Sequence, residues 1–240
     1  MSPVEALILG VVEGLTEFLP VSSTGHLILA AAWLGIDTQD PDVKRGVDAF
    51  EVVIQSGALL AVIGHYRATM ASLIFGLLGK DRVGRNLLFH LILAFLPAAV
   101  IGVFSADWIK EHLFGVWPVV AALAAGGVLM VGVERHRLHK TPAPGTEGQA
   151  GLTLGAMTAR AAVLIGFAQC VAMWPGTSRS MMTIVAALLL GFSPRAAAEF
   201  SFLLAIPTLG GATVHDLVKD GHTILEVTGA VGLGLGFAAA

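Results

Sequence analysis

Residues 13–26 read Glu13-Gly-Leu-Thr-Glu17-Phe-Leu-Pro-Val-Ser22-Ser23-Thr24-Gly-His26, a polar stretch between two apolar runs. Two glutamates, three consecutive hydroxyl residues and a histidine are therefore surrounded by sequence that is typical of membrane helices. Ionisable groups at membrane depth are costly, and they are usually functional. The stretch predicts a polar site inside a membrane protein.

The composition of the whole chain supports this class. Of the 240 residues, 55% are hydrophobic and 13% are charged, whereas a soluble domain carries about 25% charged residues. The mean hydropathy is +0.81. A single cysteine, Cys170, excludes an internal disulfide. The first residues lack a basic leader and a cleavage site, so we expect a mature N-terminus and a polytopic membrane protein.

Two segments are predicted to be re-entrant helix hairpins. Residues 4–35 are interrupted by Pro20 and by glycines, and each half is too short for a span, which needs about 20 residues. Broken helices are tolerated where they line a polar cavity, and Ser22, Ser23 or Thr24 would cap the second half. Residues 161–192 repeat the pattern around Trp174-Pro-Gly-Thr-Ser-Arg-Ser180.

Five further apolar segments are predicted to span the membrane. They are residues 50–66, 86–104, 116–133, 200–214 and 224–240. Polar loops are expected between them, at 36–48, 105–115 and 215–222. Lysines and arginines in loops 67–85 and 134–160 place both of these loops on the cytoplasmic side.

With this membrane topology the two hairpins enter the membrane from opposite faces, which indicates an inverted-topology repeat. We expect one membrane domain, 1–240, with repeat one at 1–133, a linker at 134–157 and repeat two at 158–240. Aligning Pro20 with Pro175 pairs Ser22 with Thr177. Repeat two then lacks a third span, so we expect the natural protein to be longer.

Glu13 and Glu17 are one helical turn apart and share a face. Adjacent carboxylates repel each other, and a divalent cation such as Mg²⁺ or Ca²⁺ would relieve the repulsion and share its shell with substrate phosphates. The alternative is one protonated glutamate in a hydrogen-bonded core. His26 could be a nucleophile or a general acid/base, or a packing residue.

Both hairpin loops predict an anion site. Hydroxyl groups and free N–H groups at a helix start favour phosphate, and Arg179 adds a guanidinium that matches phosphate oxygens. An ion pair of Arg179 with Glu13 or Glu17 is the alternative. Glu51, Gln55 and Glu199 could orient these groups or be plain polar residues at helix ends. Because no nucleotide-binding motif is present, the pattern favours a phosphate ester of a lipid, with no nucleic-acid partner.

At these residues the chain resembles the undecaprenyl-diphosphate phosphatase family, the bacitracin-resistance proteins. The resemblance includes both hairpin motifs, Phe50-Glu51-Val-Val-Ile-Gln55 and Glu199-Phe-Ser-Phe-Leu-Leu204, and it extends along essentially the whole chain. It implies an all-α integral protein of the bacterial inner membrane with inverted repeats, re-entrant hairpins and about six spans, of which the last is missing here.

The resemblance also implies a reaction and a set of site residues. The family removes the terminal phosphate of undecaprenyl diphosphate and so recycles the lipid carrier for envelope synthesis, with a divalent cation and a site on the external side. Glu13 and Glu17 correspond to the acidic pair that would hold the metal. The remaining site residues, for catalysis or phosphate binding, are Ser22, Ser23, Thr24, His26, Gly176, Thr177, Ser178, Arg179 and Ser180.

Several alternatives remain open at the level of sequence. The attacking group could be His26, Ser23 or water, of which His26 is favoured. A lipid-phosphate transporter could use the same pocket, since broken half-helices in inverted repeats are transporter architecture. The sequence does not fix the oligomeric state, and a homodimer is compatible with it.

Overall fold

The computed structural model describes residues 1–36, 40–113, 115–138 and 151–240, and nearly all of them are helical. This confirms the predicted all-α class. The helices are α1 (Pro3–Thr16), α2 (Ser23–Trp33), α3 (Pro41–His65), α4 (Arg67–Leu77), α5 (Arg82–Leu113), α6 (Val116–Leu138), α7 (Ala159–Val171), α8 (Arg179–Leu189) and α9 (Pro194–Ala239), with a short 3₁₀ helix at Leu154–Ala156.

Both predicted hairpins are present. Helix α1 packs on α2 and α7 packs on α8, and the four helices are only 11 to 14 residues long. At 1.5 Å per residue each is roughly 17–21 Å long, whereas the hydrocarbon core is about 30 Å thick. No helix of either hairpin is therefore long enough to cross the hydrocarbon core, as expected of re-entrant hairpins.

Five segments are long and apolar enough to cross a membrane, and they coincide with the predicted ones. They are Val43–His65, Arg82–Ser105, Val116–His136, Pro194–Val214 and His222–Ala239. Of the first, in α3, 61% is buried, against 17% in α5 and 11% in α6. Helix α3 is thus central, while α5 and α6 turn apolar side chains outward, as expected of a multi-pass membrane protein.

The predicted polar loops are wrong in extent. Helix α3 begins at Pro41, inside the predicted loop 36–48, and α5 continues to Leu113, through most of the predicted loop 105–115. Residues 215–222 are helical within α9 rather than a loop. Polarity alone does not end a helix, and Pro41 is well suited to the first position of one. Half of the predicted linker 134–157, namely residues 139–150, lies outside the described residues.

Helix α9 has a kink at Gly229, where φ is +64° and ψ is 162°. Well before the kink, Gly210 lies against Leu59, and Thr213 donates to the carbonyl of Val52. Just before the kink Val227 lies against Gly46, and after it Phe237 lies against Gly57. The chain therefore runs down α3 and then back up it, so the last apolar segment is bent rather than straight.

Two hydrophobic cores hold these helices together. One contains Leu91, Ile165 and Phe200, from α5, α7 and α9. The other contains Leu9 from α1 and Phe50 from α3, together with side chains of α2 and the end of α9. Each hairpin therefore belongs to a different core, and their loops meet between the two. The division into repeats stays a prediction.

A close helix contact gives a first prediction. A Cβ on Gly166 would lie 2.4 Å from the carbonyl oxygen of Ala94 in α5, whereas a Cβ on Gly127 would meet nothing within 4 Å. Gly166→Ala should cost about 1–3 kcal/mol through overpacking. The control Gly127→Ala should be neutral or slightly stabilising, because alanine favours helix. Apparent unfolding midpoints in detergent would show this, and equal midpoints would contradict the packing.

Candidate active site

The two hairpin loops are joined by a buried ion pair. Arg179 at the start of α8 donates from Nη2 to Oε1 of Glu17, at 2.7 Å, and the two side chains are 11% and 7% exposed. The other oxygen of Glu17 accepts from the hydroxyl of Ser23 at 2.5 Å. Arg179 also donates to the carbonyl of Ser201 at 3.1 Å. The ion pair of Arg179 with Glu17, which the sequence offered as the alternative to phosphate binding, is thus present. Both residues also line a cavity.

Hydroxyl groups reinforce this contact between the hairpins. Ser180 donates to the carbonyl of Leu19 at 3.1 Å, and its oxygen lies 2.9 Å from that of Ser178. Behind them, the hydroxyls of Thr183 and Ser201 are 2.7 Å apart. The two loops are therefore held in a fixed relation through both side chains and backbone.

Each loop ends in a serine cap. The Ser22 hydroxyl accepts from the N–H of Gly25 at 3.2 Å, and the Ser178 hydroxyl accepts from the N–H of Met181 at 3.1 Å. The predicted pairing of Ser22 with Thr177 is therefore wrong by one residue. The second loop carries one extra residue between its proline and its cap, and Gly176 accommodates it with φ +92°.

Backbone geometry separates the roles of two predicted phosphate-binding residues. A Cβ on Gly176 would lie 2.6 Å from the carbonyl oxygen of Val119, so this glycine serves the close approach of the loop to α6, and it does not line the cavity. Ser22 has φ +68° and ψ 97°, a conformation that costs a non-glycine residue of order 1–3 kcal/mol. Strain of this kind concentrates at functional sites.

A cavity of about 750 Å³ opens between the hairpins. Its polar wall consists of Glu17, Ser22, Ser23, Thr24, Gln55, Gln169, Thr177, Ser178, Arg179, Ser180 and Thr208. Its apolar wall consists of Phe95, Ala98, Ala99, Gly102 and Val103 of α5, Ala172 and Met173 after α7, and Leu209, Gly211 and Ala212 of α9. The cavity is thus amphipathic, with both helix N-termini at its polar end.

Glu13 lies behind this wall. It is fully buried, and neither of its oxygens has a hydrogen-bond partner among the described residues. It interacts electrostatically with Glu17 and Glu51. A buried carboxylate without a donor suits a hard cation, so Glu13 and Glu17 fit a divalent metal that takes further oxygens from its ligand. The described residues contain no ready-made metal cluster of three or more His, Cys, Asp or Glu.

His26 does not line the cavity. It is half-buried in the first turn of α2, with Nδ1 2.8 Å from the carbonyl oxygen of Ser22. A carbonyl only accepts, so Nδ1 carries a proton in this contact and Nε2 is left as the base. The geometry therefore defines the tautomer of His26 without bringing the ring to the cavity wall.

The three predicted orienting residues separate in space. Gln55 lines the cavity. Glu51 is buried and interacts with Asp48 as well as Glu13. Glu199 lies off the cavity wall, where it interacts electrostatically with Tyr66.

Sequence reasoning missed Gln169 and Thr208 on the cavity wall and Ser201 beside Arg179. A signal for Gln169 exists, because it is an amide in the otherwise apolar run of α7. Serine and threonine in membrane helices usually bond their own backbone, as Thr208 does to Leu204 at 2.8 Å. The sequence therefore gives no comparable signal for Thr208 and Ser201.

The ion pair gives a second prediction. Arg179→Met leaves Glu17 buried and unpaired, which should cost about 3–5 kcal/mol. Adding Glu17→Gln should recover part of this loss, with a coupling of about 0.5–3 kcal/mol. Unfolding midpoints of the two single variants and the double variant would measure it. Arg195→Met, at an exposed arginine, is the control, and strict additivity would contradict the coupling.

Comparison with known proteins shows the family of this chain. The family model described as bacitracin resistance protein BacA matches residues 6–240. The chain is 50% identical to the undecaprenyl-diphosphatase of Sorangium cellulosum, over 98% of this chain and 75% of that protein. It is 48% identical to the undecaprenyl-diphosphatase of Methylococcus capsulatus, over 98% of this chain and 80% of that one.

A third relative, undecaprenyl-diphosphatase 3 of Acinetobacter baylyi, is 42% identical over 97% of this chain and 82% of its own length. These similarities cover both hairpins, the central helix α3 and the first part of α9, and hence every wall of the cavity. With its match to the family model, the chain belongs to the bacitracin resistance protein family, BacA.

Proposed function

We propose that this protein hydrolyses undecaprenyl diphosphate to undecaprenyl phosphate and phosphate, and so recycles the lipid carrier for peptidoglycan and envelope synthesis. The observation that carries the proposal is the amphipathic cavity, where two helix N-termini and Arg179 face an apolar wall among membrane helices. The relatives named above are all called undecaprenyl-diphosphatases.

The polar end of the cavity is suited to the terminal phosphate. Backbone N–H groups at the starts of α2 and α8 and the hydroxyls of Thr24 and Thr177 supply uncharged donors. Arg179 supplies a charged one. Because Glu17 and Ser201 hold the guanidinium on both sides, Arg179 is positioned before the substrate arrives, and this kind of preorganised donor is what stabilises a transferring phosphoryl group.

The cavity wall favours Ser23 as the attacking group. Its hydroxyl already donates to Glu17 at 2.5 Å, which is the arrangement of a nucleophile with its base. Ser23 Oγ would attack the terminal phosphorus while the bond to the bridging oxygen breaks and lipid monophosphate leaves. The hydroxyl proton passes to Glu17, and water then releases phosphate from the serine. His26 acting through Nε2, as nucleophile or as base for water, is the rival assignment.

A divalent cation such as Mg²⁺ or Ca²⁺ would be held by Glu13 and Glu17 and would neutralise negative charge on the diphosphate oxygens. Glu13 supports this because its buried oxygens have no hydrogen-bond partner among the described residues. Independently of the cation, Glu17 positions Arg179 and accepts the proton of Ser23.

For location, we propose the bacterial inner membrane, with the cavity open to the external side. The support is the distribution of basic residues, which are concentrated in the connection 67–85, where α4 lies, and in the segment 134–160. Short basic connections between membrane spans stay on the cytoplasmic side. The transporter alternative has no support from the named relatives, and a carboxylate pair beside the phosphate would not help anion transport.

A third prediction tests the reaction. Purified protein should release phosphate from undecaprenyl diphosphate in detergent, where no second compartment exists, and EDTA should abolish the release. Arg179→Ala and Glu17→Ala should each lower kcat by about 10²–10³, as for loss of one preorganised group. Arg195→Ala is the matched control and should leave the rate unchanged. Binding without release would favour the transporter, and release that resists EDTA would exclude the metal role.

A fourth prediction separates the two candidate nucleophiles. Rapid quenching with substrate labelled in the terminal phosphate should trap an acid-stable phosphoenzyme, as expected for phosphoserine. Ser23→Ala should abolish this label and lower turnover by at least about 10², the usual cost of removing a nucleophile or its base. An acid-labile, base-stable label that disappears in His26→Ala would instead assign the attack to His26.

A further inference from the structure

Two buried amides on the cavity wall are unused by the reaction described above. Gln169 of α7 is 2% exposed and Gln55 of α3 is 8% exposed, and both line the cavity. Nε2 of Gln169 has no hydrogen-bond partner among the described residues. A buried donor left unpaired costs about 1–3 kcal/mol, so a ligand that satisfies it would be bound more tightly.

The side-chain amide of Gln169 is only weakly hydrogen-bonded to its neighbours. Among the described residues its one side-chain hydrogen bond is through Oε1, which accepts from the hydroxyl of Thr208 at 3.5 Å, the longest distance that can count as a hydrogen bond. Thr208 also lies 2.8 Å from the carbonyl of Leu204, which is the better acceptor for its single proton. The side chain of Gln55 makes no hydrogen bond to a described residue.

Gln169 and Thr208 both lie at the border between the polar wall and the apolar wall of the cavity. One helical turn beyond Gln169, Ala172 and Met173 belong to the apolar wall, and one turn beyond Thr208, Ala212 does so too. Residues three or four apart share a helix face. Gln169 is therefore placed where the polar end of the cavity gives way to the part that suits a hydrocarbon chain.

In a lipid diphosphate, the phosphate that stays on the lipid is bonded between the terminal phosphate and the chain. If the terminal phosphate binds at the helix N-termini and the chain against the apolar wall, the retained phosphate must lie at this border. The charge there also matters. Arg179 is the one lysine or arginine among the described residues lining the cavity, and it is already paired with Glu17, so the retained phosphate needs donors from neutral groups.

We infer that the amides of Gln169 and Gln55 bind the retained phosphate and make the site selective for a lipid diphosphate over a lipid monophosphate. This inference rests on the proposed function. Neutral donors also suit the end of the reaction, because hydrogen bonds to an amide are weaker than those to a guanidinium. The monophosphate product is then not trapped at the border by a second positive charge.

The test measures binding without turnover. Protein treated with EDTA is titrated with the farnesyl methylene-bridged diphosphonate, which cannot be hydrolysed, and with the farnesyl monophosphonate. Gln169→Leu should weaken diphosphonate binding roughly tenfold to hundredfold, the range for loss of a hydrogen bond to a charged group. Monophosphonate affinity should change much less, because a ligand with a single phosphonate is expected to place it at the stronger site, beside Arg179 and the two helix starts. Gln55→Leu should act in the same direction, and Cys170→Ala, at a neighbour that is off the cavity wall, should change neither affinity.

Gln169→Glu keeps the shape but replaces the donor by an anion, so it should weaken diphosphonate binding more than Gln169→Leu does. An equal loss for both ligands, or a lower unfolding midpoint with an unchanged ratio of the two affinities, would mean that Gln169 only supports the fold and would overturn the inference. If wild-type protein prefers the diphosphonate but releases no phosphate from undecaprenyl diphosphate, the proposed hydrolysis is refuted and the inference about the amides is not. The two failures are therefore distinguishable.

Discussion

The arrangement of the site depends on the buried ion pair between Glu17 and Arg179, two residues 162 positions apart in the chain. Burying two charges is costly unless both are paired and hydrogen-bonded. Ser23 adds one hydrogen bond to Glu17 and Ser201 adds one to Arg179, whereas Nε of Arg179 has no partner among the described residues. Because the glutamate comes from the loop of one hairpin and the arginine from the other, neither hairpin can bury its charge at low cost without its counterpart.

Membrane depth explains why the loops are built as they are. An interrupted helix leaves free N–H groups, which in hydrocarbon must find partners. Serine caps satisfy one such group at each start, of α2 and of α8. The first residues of both helices line the cavity, where an anion would satisfy the remaining groups. The break that makes each helix unstable in lipid is therefore also what creates the binding site. The two cores on either side keep the broken ends together.

Much of this could be predicted from the sequence, because polar residues in apolar runs stand out. Glu13, Glu17 and the hydroxyl clusters were found for that reason, and so were the five apolar segments. Features set by tertiary contact were not found. The cap pairing depends on how Gly176 packs on Val119, and the course of α9, down α3 and back up it, depends on contacts between these two helices. His26 lies off the cavity wall for the same kind of reason, because the packing of neighbouring helices decides which face of α2 lines the cavity.

The balance of charge in the cavity connects the remaining features. Glu17 and Arg179 offset each other, so the described wall is close to neutral before substrate binds. A lipid diphosphate brings more than one negative charge into surroundings where charge is poorly solvated. Neutral donors alone, namely the helix starts, the hydroxyls and the two amides, cannot offset it. An ionised Glu13 would add to the negative charge unless a cation accompanied the substrate, and its oxygens have no hydrogen-bond partner among the described residues. A metal that binds together with the diphosphate would therefore serve both the buried carboxylate and the phosphate.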